Sequence, residues 1–396
     1  MIRPTVARVD LRALQSNYRH IVEFLAAGRE PTASLPQHIP RAIAVVKANA
    51  YGHGAEQVAK ALEAAGADLL ACADIEEGAA LRAAGVRAEI LVFGALSVSD
   101  LDGLFDCRLT PTISTPGAAH AVQAAAARYR QRLSYHLKID TGMNRLGFRF
   151  DNLRRTLPGL LASENLDLAA VYTHFATADD AESALFEQQR VRFDRALTEI
   201  DTLMHGALTR GEPAAAAGSV RKPYIHAANS AALLRDSRVW FDRVRPGLLL
   251  YGVVPPPLAS TLDLAPVMSL GSRVVAVKGL RPGEVSGYGA RFTADRPSTI
   301  AVIPAGYADG LDLRLAGRGA VLIRGRRAPI VGSVCMDMLT ADVTGMDISP
   351  GDEVVIIGRQ DNDCIDVREM AATIGSIPWE VLCRIGSRIE RVYTAS

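Results

Sequence analysis

The stretch RAIAVVKANAYGHGAEQVAKALEAAGADLLACA, residues 41–73, holds one complete unit of a parallel α/β fold. Its ends, RAIAVV and DLLACA, are short apolar runs without alternation, the pattern of strands buried on both faces. Between them, GAEQVAKALEAAG spaces its apolar residues for an amphipathic helix. Parallel neighbours need a crossover of this kind, because a tight hairpin cannot join them. The unit then recurs. Apolar runs begin at 88 (AEILVFG), 109 (LTPTIS), 134 (SYHLKI), 166 (LDLAAVYTH), 223 (PYIHAA) and 241 (FDRVRPGLLLYG), with alanine-rich helical stretches between most of them. Eight strands alternating with helices predict a (β/α)8 barrel. A doubly wound open sheet is the alternative, disfavoured because no glycine-rich dinucleotide fingerprint follows the first strand.

Upstream, the pattern predicts a helix over about residues 10–27 and a proline-rich connection over 31–40. The segment 206–222 reads as an Ala/Gly-rich surface insertion. After YGVVPPPLAS (251–260) the texture changes to short β-branched runs punctuated by Gly and Pro, such as STIAVIPAGYADG and GDEVVIIG. That predicts a C-terminal, mostly-β domain, dividing the chain into 1–260 and 261–396. No repeat of solenoid period is present.

Composition removes several classes of function. The net charge is +1, and no basic run or aromatic-interleaved patch suggests nucleic acid. No apolar run is long enough to span a bilayer, and the N-terminus lacks the apolar core of a signal peptide. Five cysteines without C-x-x-C pairing disfavour zinc and a disulfide framework, so no metal is expected and a reducing cytoplasm is the natural location.

Lysine usage is more telling. Of 44 Lys and Arg residues only five are lysine: Lys47, Lys60, Lys138, Lys222 and Lys278. Arginine stays protonated, whereas a buried lysine can shed its proton and act as a nucleophile or base. Lys47 and Lys138 both stand at the ends of apolar strands beside glycine turns. The plain alternative for Lys47 is a side chain reaching past the sheet edge into water.

In a barrel, chemistry gathers at the C-terminal ends of the strands. Those ends carry Lys47 and Tyr51 after the first strand, and Lys138 and Arg145 after the fifth. His174 follows the sixth, Asn229 and Ser230 the seventh, Arg245 and Gly247 the eighth. Each has an ordinary reading: His174 as a hydrogen-bonded core histidine, Arg245 as an ion-pair partner of Asp242. Together they suggest a bound phosphate opposite a reactive lysine. Asn-Ser at a helix start and a glycine permitting close backbone approach fall after strands 7 and 8, where barrel phosphate sites lie. Lysine, phosphate and an aromatic ring are the requirements of pyridoxal phosphate, with Lys47 as its covalent anchor.

The motifs VVKANAYGHG, KIDTGMNRLGF, THFATAD, NSAALL, RPGLLLYG, AGYADG and VCMDM, in this order, resemble those of the alanine racemases over nearly the whole chain. The resemblance implies a homodimer of barrel and β domain with two shared active sites, interconverting L- and D-alanine to supply D-alanine for peptidoglycan. It implies that Lys47 carries pyridoxal phosphate, that Tyr51, Asn229, Ser230 and Gly247 hold its phosphate, and that Arg245 faces its ring nitrogen. By the same resemblance Arg145 lies at the substrate carboxylate, His174 links Arg245 to the second base, and Lys138 is a position many members carbamylate. From the partner subunit come the catalytic Tyr288, the entrance residue Tyr307, and Met336 and Asp337 near the substrate. One position departs from the family: SIPWEVLC has Trp379 where the family has a phosphate-binding tyrosine. An indole N–H donates but cannot accept, so Trp379 either reaches the phosphate or narrows the entrance. Serine or broad-specificity racemisation is the nearest alternative. A decarboxylase of the same barrel would be expected to set a carboxylate, not Arg245, at the ring nitrogen. A non-enzymatic pyridoxal phosphate carrier would lack the β domain.

Overall fold

In the computed structural model, which describes residues 4–28, 39–96, 100–209 and 222–394, the cadence of strands closes into a barrel. The first strand is split at Ile43 into Arg41–Ala42 and Ala44–Val45. The others are Leu69–Cys72, Glu89–Val92, Thr110–Ile113, Leu133–Asp140, Leu166–Tyr172, Tyr224–Asn229 and Arg243–Arg245. Neighbours pair in parallel throughout. The split strand closes the ring: Ala42 pairs with Val244 of the last strand and Val45 with Ala71 of the second. Closure leaves no open sheet edge, and the open-sheet alternative falls.

The expected run FDRVRPGLLLYG stops being strand at Arg245, because Pro246 has no N–H for the ladder. It continues as a single 3-10 turn, Leu248–Tyr251, buried against the helix Leu11–Ala27. Leu11–Ala27 forms the expected first helix. Asp10 caps it by accepting from the N–H groups of Arg12 and Ala13, and Leu11, Leu14, Tyr18, Ile21 and Leu25 bury one face. The proline-rich connection over 31–40 lies outside the described residues as far as 38. So does 210–221 of the Ala/Gly-rich stretch, whose start is the end of the helix Leu185–Thr209.

A second, mainly antiparallel sheet builds the C-terminal domain, from Met268–Arg273 to Glu390–Thr394. One two-residue hairpin, Ala320–Ile323 with Arg326–Val331, turns through Arg324 and Gly325, both at positive φ, the geometry that matches strand twist. The strand Val6–Asp10 also belongs to this sheet, between Met268–Arg273 and Glu390–Thr394. Two short helices, Val367–Thr373 and Pro378–Cys383, complete the domain, and the second packs against the turn that follows the first barrel strand.

Candidate active site

Lys47 ends the first barrel strand and opens a turn of unusual hand. Ala48, Asn49, Ala50 and Tyr51 all have φ between 52° and 54°, four consecutive left-handed residues without a glycine. At about 1–2 kcal/mol per residue, that conformation costs about 4–8 kcal/mol and must be held from outside. Several groups hold it. The Glu77 carboxylate accepts from Ala48 N–H at 2.7 Å, more weakly from Asn49 N–H at 3.4 Å, and from Ala73 N–H at 2.8 Å. At the far end Gly52 has φ +80°, and a Cβ there would lie 2.3 Å from the Leu382 carbonyl of the helix Pro378–Cys383. Arg391 donates to the Gly52 carbonyl at 3.1 Å. His53, fully buried, shares its Nδ1 proton between the Ala50 and Tyr51 carbonyls and stacks on Tyr251; burial lowers its pKa to about 4.

The turn delivers Tyr51 to Gly247. A Cβ on Gly247 would sit 2.4 Å from the Tyr51 hydroxyl, so only glycine leaves that space open. Gly247 N–H donates to Ser230 Oγ at 2.9 Å, and Asn229 Oδ1 caps the short helix Ser230–Arg235 at Ala232 N–H. Tyr51, Ser230 and Gly247 therefore form one small polar cluster at the barrel mouth, with hydroxyl and N–H groups of the kind that hold a phosphate.

Cations crowd the same mouth. Burial first, then Arg145, lowers the Lys47 pKa, opposed by Cys383 and Glu77. Lys138 is buried with its ammonium over the Tyr172 ring, and burial, Arg145 and Arg245 bring its pKa down to about 8. Arg245 is buried and turns its guanidinium to His226 Nδ1 at 2.8 Å, His174 Nδ1 at 3.2 Å, and the carbonyls of Thr173 and Ala227 at 2.8 Å. Asp242, its plainer partner on sequence, instead accepts from Ile225 N–H. Burial lowers Arg245 to about 10, still protonated at neutral pH. Burial and the charges of Arg245, Lys138, Arg145 and Lys47 hold His174 well below its ordinary value, hence neutral. Because Arg245 can only donate, His174 Nδ1 accepts and the proton resides on Nε2. Arg145 stands exposed in a turn built on Asp140, whose Oδ1 accepts from Gly142 and Asn144 N–H groups.

The other expected residues gather on one exposed face of the C-terminal domain. Tyr288 is 77% exposed and its carbonyl accepts from Ser333 Oγ at 2.6 Å. Tyr307 N–H donates to the Cys335 carbonyl, next to half-exposed Met336, and Asp337 pairs with Arg388. Among the described residues no hydrogen bond or ion pair joins Tyr288, Tyr307, Met336 or Asp337 to Lys47. Trp379 lies half-buried on the helix that packs on the Lys47 turn.

Sequence reasoning missed a relay inside the barrel. Arg245 donates to His226 Nδ1, His226 Nε2 lies 3.1 Å from His136 Nδ1, and His136 Nε2 lies 2.7 Å from the Tyr224 hydroxyl. The arginine fixes the polarity, making each histidine an acceptor at Nδ1 and a donor at Nε2. The available signal was two histidines midway along otherwise apolar strands. Glu77 was also missed, since D-I-E-E over 74–77 reads as an ordinary helix start.

A parallel barrel with a left-handed turn after Lys47, a small polar cluster and neutral histidines about a buried arginine at its mouth has the architecture of a barrel enzyme. Comparison with known proteins narrows the class. Residues 9–255 match the family model "Alanine racemase, N-terminal domain" and 267–393 match "Alanine racemase, C-terminal domain". The alanine racemase of Carboxydothermus hydrogenoformans is 39% identical over 99% of this chain and 100% of its own. That of Symbiobacterium thermophilum is 37% identical over 99% and 97%. The structure of alanine racemase from D-cycloserine-producing Streptomyces lavendulae superposes with a TM-score of 0.89 at 29% identity, covering 100% of this chain and 98% of that one. Alanine racemase from Bartonella henselae, solved with covalently bound pyridoxal phosphate, gives 0.82 at 28% over 99% of each chain. The chain belongs to the alanine racemase family. It is an isomerase acting on alanine, of a family that depends on pyridoxal phosphate.

Proposed function

We propose that Lys47 holds pyridoxal phosphate covalently through Nζ and that the enzyme racemises alanine with two bases, Lys47 on one face and Tyr288 of the partner subunit on the other. The observation that carries this reading is the single turn bearing both Lys47 and Tyr51, with Tyr51 closed against Gly247, whose N–H donates to Ser230 Oγ. One segment thus addresses both the aldehyde and the phosphate of the cofactor. The bound cofactor draws electron density from the amino acid and so makes its α-proton removable.

The protein's own groups do the rest. A lowered pKa makes Lys47 Nζ more readily neutral, the form that accepts a proton. Arg245 keeps its proton, is held in place by His226, His174 and two carbonyls, and would donate a hydrogen bond to the cofactor's ring nitrogen. Arg145 orients the substrate carboxylate, with the partner's Met336 and the partner's Asp337 beside it and the partner's Tyr307 at the entrance. His174 Nε2–H would donate to the hydroxyl oxygen of Tyr288 of the partner subunit, linking that residue to Arg245. Lys138, with a pKa of about 8, has enough neutral amine for carbamylation, and a carbamate there would buttress Arg145. Exposure of Tyr288 and Met336 on a single chain supports a homodimer in which that face completes the partner's site. Among the described residues no helix is long and apolar enough to cross a membrane. We place the enzyme in the cytoplasm, making D-alanine for peptidoglycan.

Borohydride reduction of the purified enzyme, followed by peptide mapping, tests the reading. The reduced adduct is expected on Lys47; an adduct on Lys138 or Lys60, or none, overturns it.

A further inference from the structure

We propose that Glu77 is a positioning residue for Lys47, its carboxylate tying the left-handed turn to the neighbouring barrel strand. This rests on Lys47 being the cofactor lysine. Glu77 occupies the third position of the helix Ile75–Ala83, whose N-cap is Asp74; Asp74 Oδ1 accepts from Glu77 N–H at 2.8 Å. In an ordinary capping box the glutamate would reach back to the N–H of the cap itself. Here Oε2 takes the preceding N–H, that of Ala73 at the end of the second barrel strand, and Oε1 crosses to the first strand.

What it meets there explains the diversion. The later N–H groups of the turn have backbone acceptors: Ala50 N–H bonds to the Val46 carbonyl, Gly52 N–H to Ala48, and Gly54 N–H to Asn49. The first two, on Ala48 and Asn49, are met by the Glu77 carboxylate. Glu77 thus supplies an external bond where the left-handed backbone begins, one residue after Lys47, and anchors it to the adjacent strand end. The turn carries both Lys47 and Tyr51, so loosening it shifts the cofactor's covalent anchor and its phosphate ligand together. The Glu77 charge also acts on the Lys47 amine, raising its pKa against burial and Arg145.

The test compares E77A, E77Q and D74A as holoenzymes, reading cofactor dissociation, the visible spectrum of the lysine-bound cofactor with its pH midpoint, and apoenzyme unfolding. Losing a charge-assisted acceptor should speed cofactor dissociation about ten- to a hundredfold in E77A. E77Q keeps one carbonyl oxygen and should recover part of that loss. In both Glu77 variants the spectral midpoint should move to lower pH, because the stabilising negative charge is gone. D74A removes the N-cap of the same helix without touching the turn, so it should lower unfolding stability and leave spectrum and midpoint in place. If E77A and E77Q load and titrate as wild type does, or if D74A reproduces their spectral shift, Glu77 acts only on its helix and the proposal fails. If E77A does not fold, the midpoint of E77Q decides. A wild-type enzyme that carries no cofactor on Lys47 would defeat the reading of the site itself, an outcome distinct from unaltered Glu77 variants.

Discussion

Adding one methyl group at Gly247 should abolish most cofactor affinity. Gly247→Ala acts by filling space. Its Cβ would lie 2.4 Å from the Tyr51 hydroxyl and 3.1 Å from Tyr51 Cζ, so the phenol must move. Tyr51 has little room for that: it is buried, packs on Tyr251 at 4.9 Å between ring centroids, and Tyr251 is itself fixed by its bond to the Val45 carbonyl. The variant should therefore lose the Tyr51 hydroxyl and the close backbone approach at Gly247. Two charge-assisted hydrogen bonds at about 1.5–3 kcal/mol each amount to about 3–6 kcal/mol, or roughly 10²- to 10⁴-fold in the dissociation constant. Titrating the apoenzyme with pyridoxal phosphate by absorbance measures this, and the apoenzyme's unfolding midpoint separates a filled cradle from a damaged fold. Tyr51→Phe removes only the hydroxyl and should cost about ten- to a hundredfold. Combined with Gly247→Ala it should cost less than the sum, because the group it deletes has already been displaced. Cofactor affinity of Gly247→Ala within about threefold of wild type, or strictly additive costs in the double variant, would show that Tyr51 and Gly247 do not share one ligand.

Tyr288→Phe should stop racemisation in both directions while D-alanine still exchanges its α-hydrogen with D2O through Lys47, L-alanine hardly at all. Equal exchange of both enantiomers would remove Tyr288 as the second base. Lys138 offers a pH test on protein depleted of carbon dioxide: its native pKa of about 8 lies below the ordinary value near 10.4. Below pH 8 it is charged in both states and the burial penalty is complete; between about 8 and 10.4 the unfolded chain binds more protons, so stability rises with pH. Lys138→Met should lack that rise, worth up to about 3 kcal/mol, and parallel unfolding curves for the two proteins would contradict it. Trp379→Phe should weaken the cofactor about ten- to a hundredfold if the indole N–H donates to the phosphate; unchanged affinity makes Trp379 a wall of the entrance.

What could be read from the sequence was what the chain does locally. Lys47 stood out because a strand end, a glycine turn and a near-absence of other lysines coincide within a few residues. The strand Val6–Asp10 did not, because its partners lie at the other end of the chain, near residues 270 and 392. Glu77 shows the same limit within a single side chain. Its local half, the N–H bonded to Asp74, is what D-x-x-E predicts, while its carboxylate acts on residues 28 and 29 positions away. The histidine relay was half visible: His136 and His226 are polar residues in buried strands, but only the closed barrel sets them in line behind Arg245. That line bears on the choice among reactions. A carboxylate at the ring nitrogen would keep it protonated and make the cofactor a strong electron sink, suited to decarboxylation or transamination. Arg245, held by two neutral histidines and two carbonyls, could only donate a hydrogen bond there if it faces the ring nitrogen as proposed. With Arg245 so placed, the charge left on removing the α-proton would be poorly delocalised and return of a proton to carbon favoured; with Lys47 and the partner's Tyr288 on opposite faces, as proposed, that return would be racemisation. The burial that keeps His226 and His174 neutral thereby favours the reaction that the family performs.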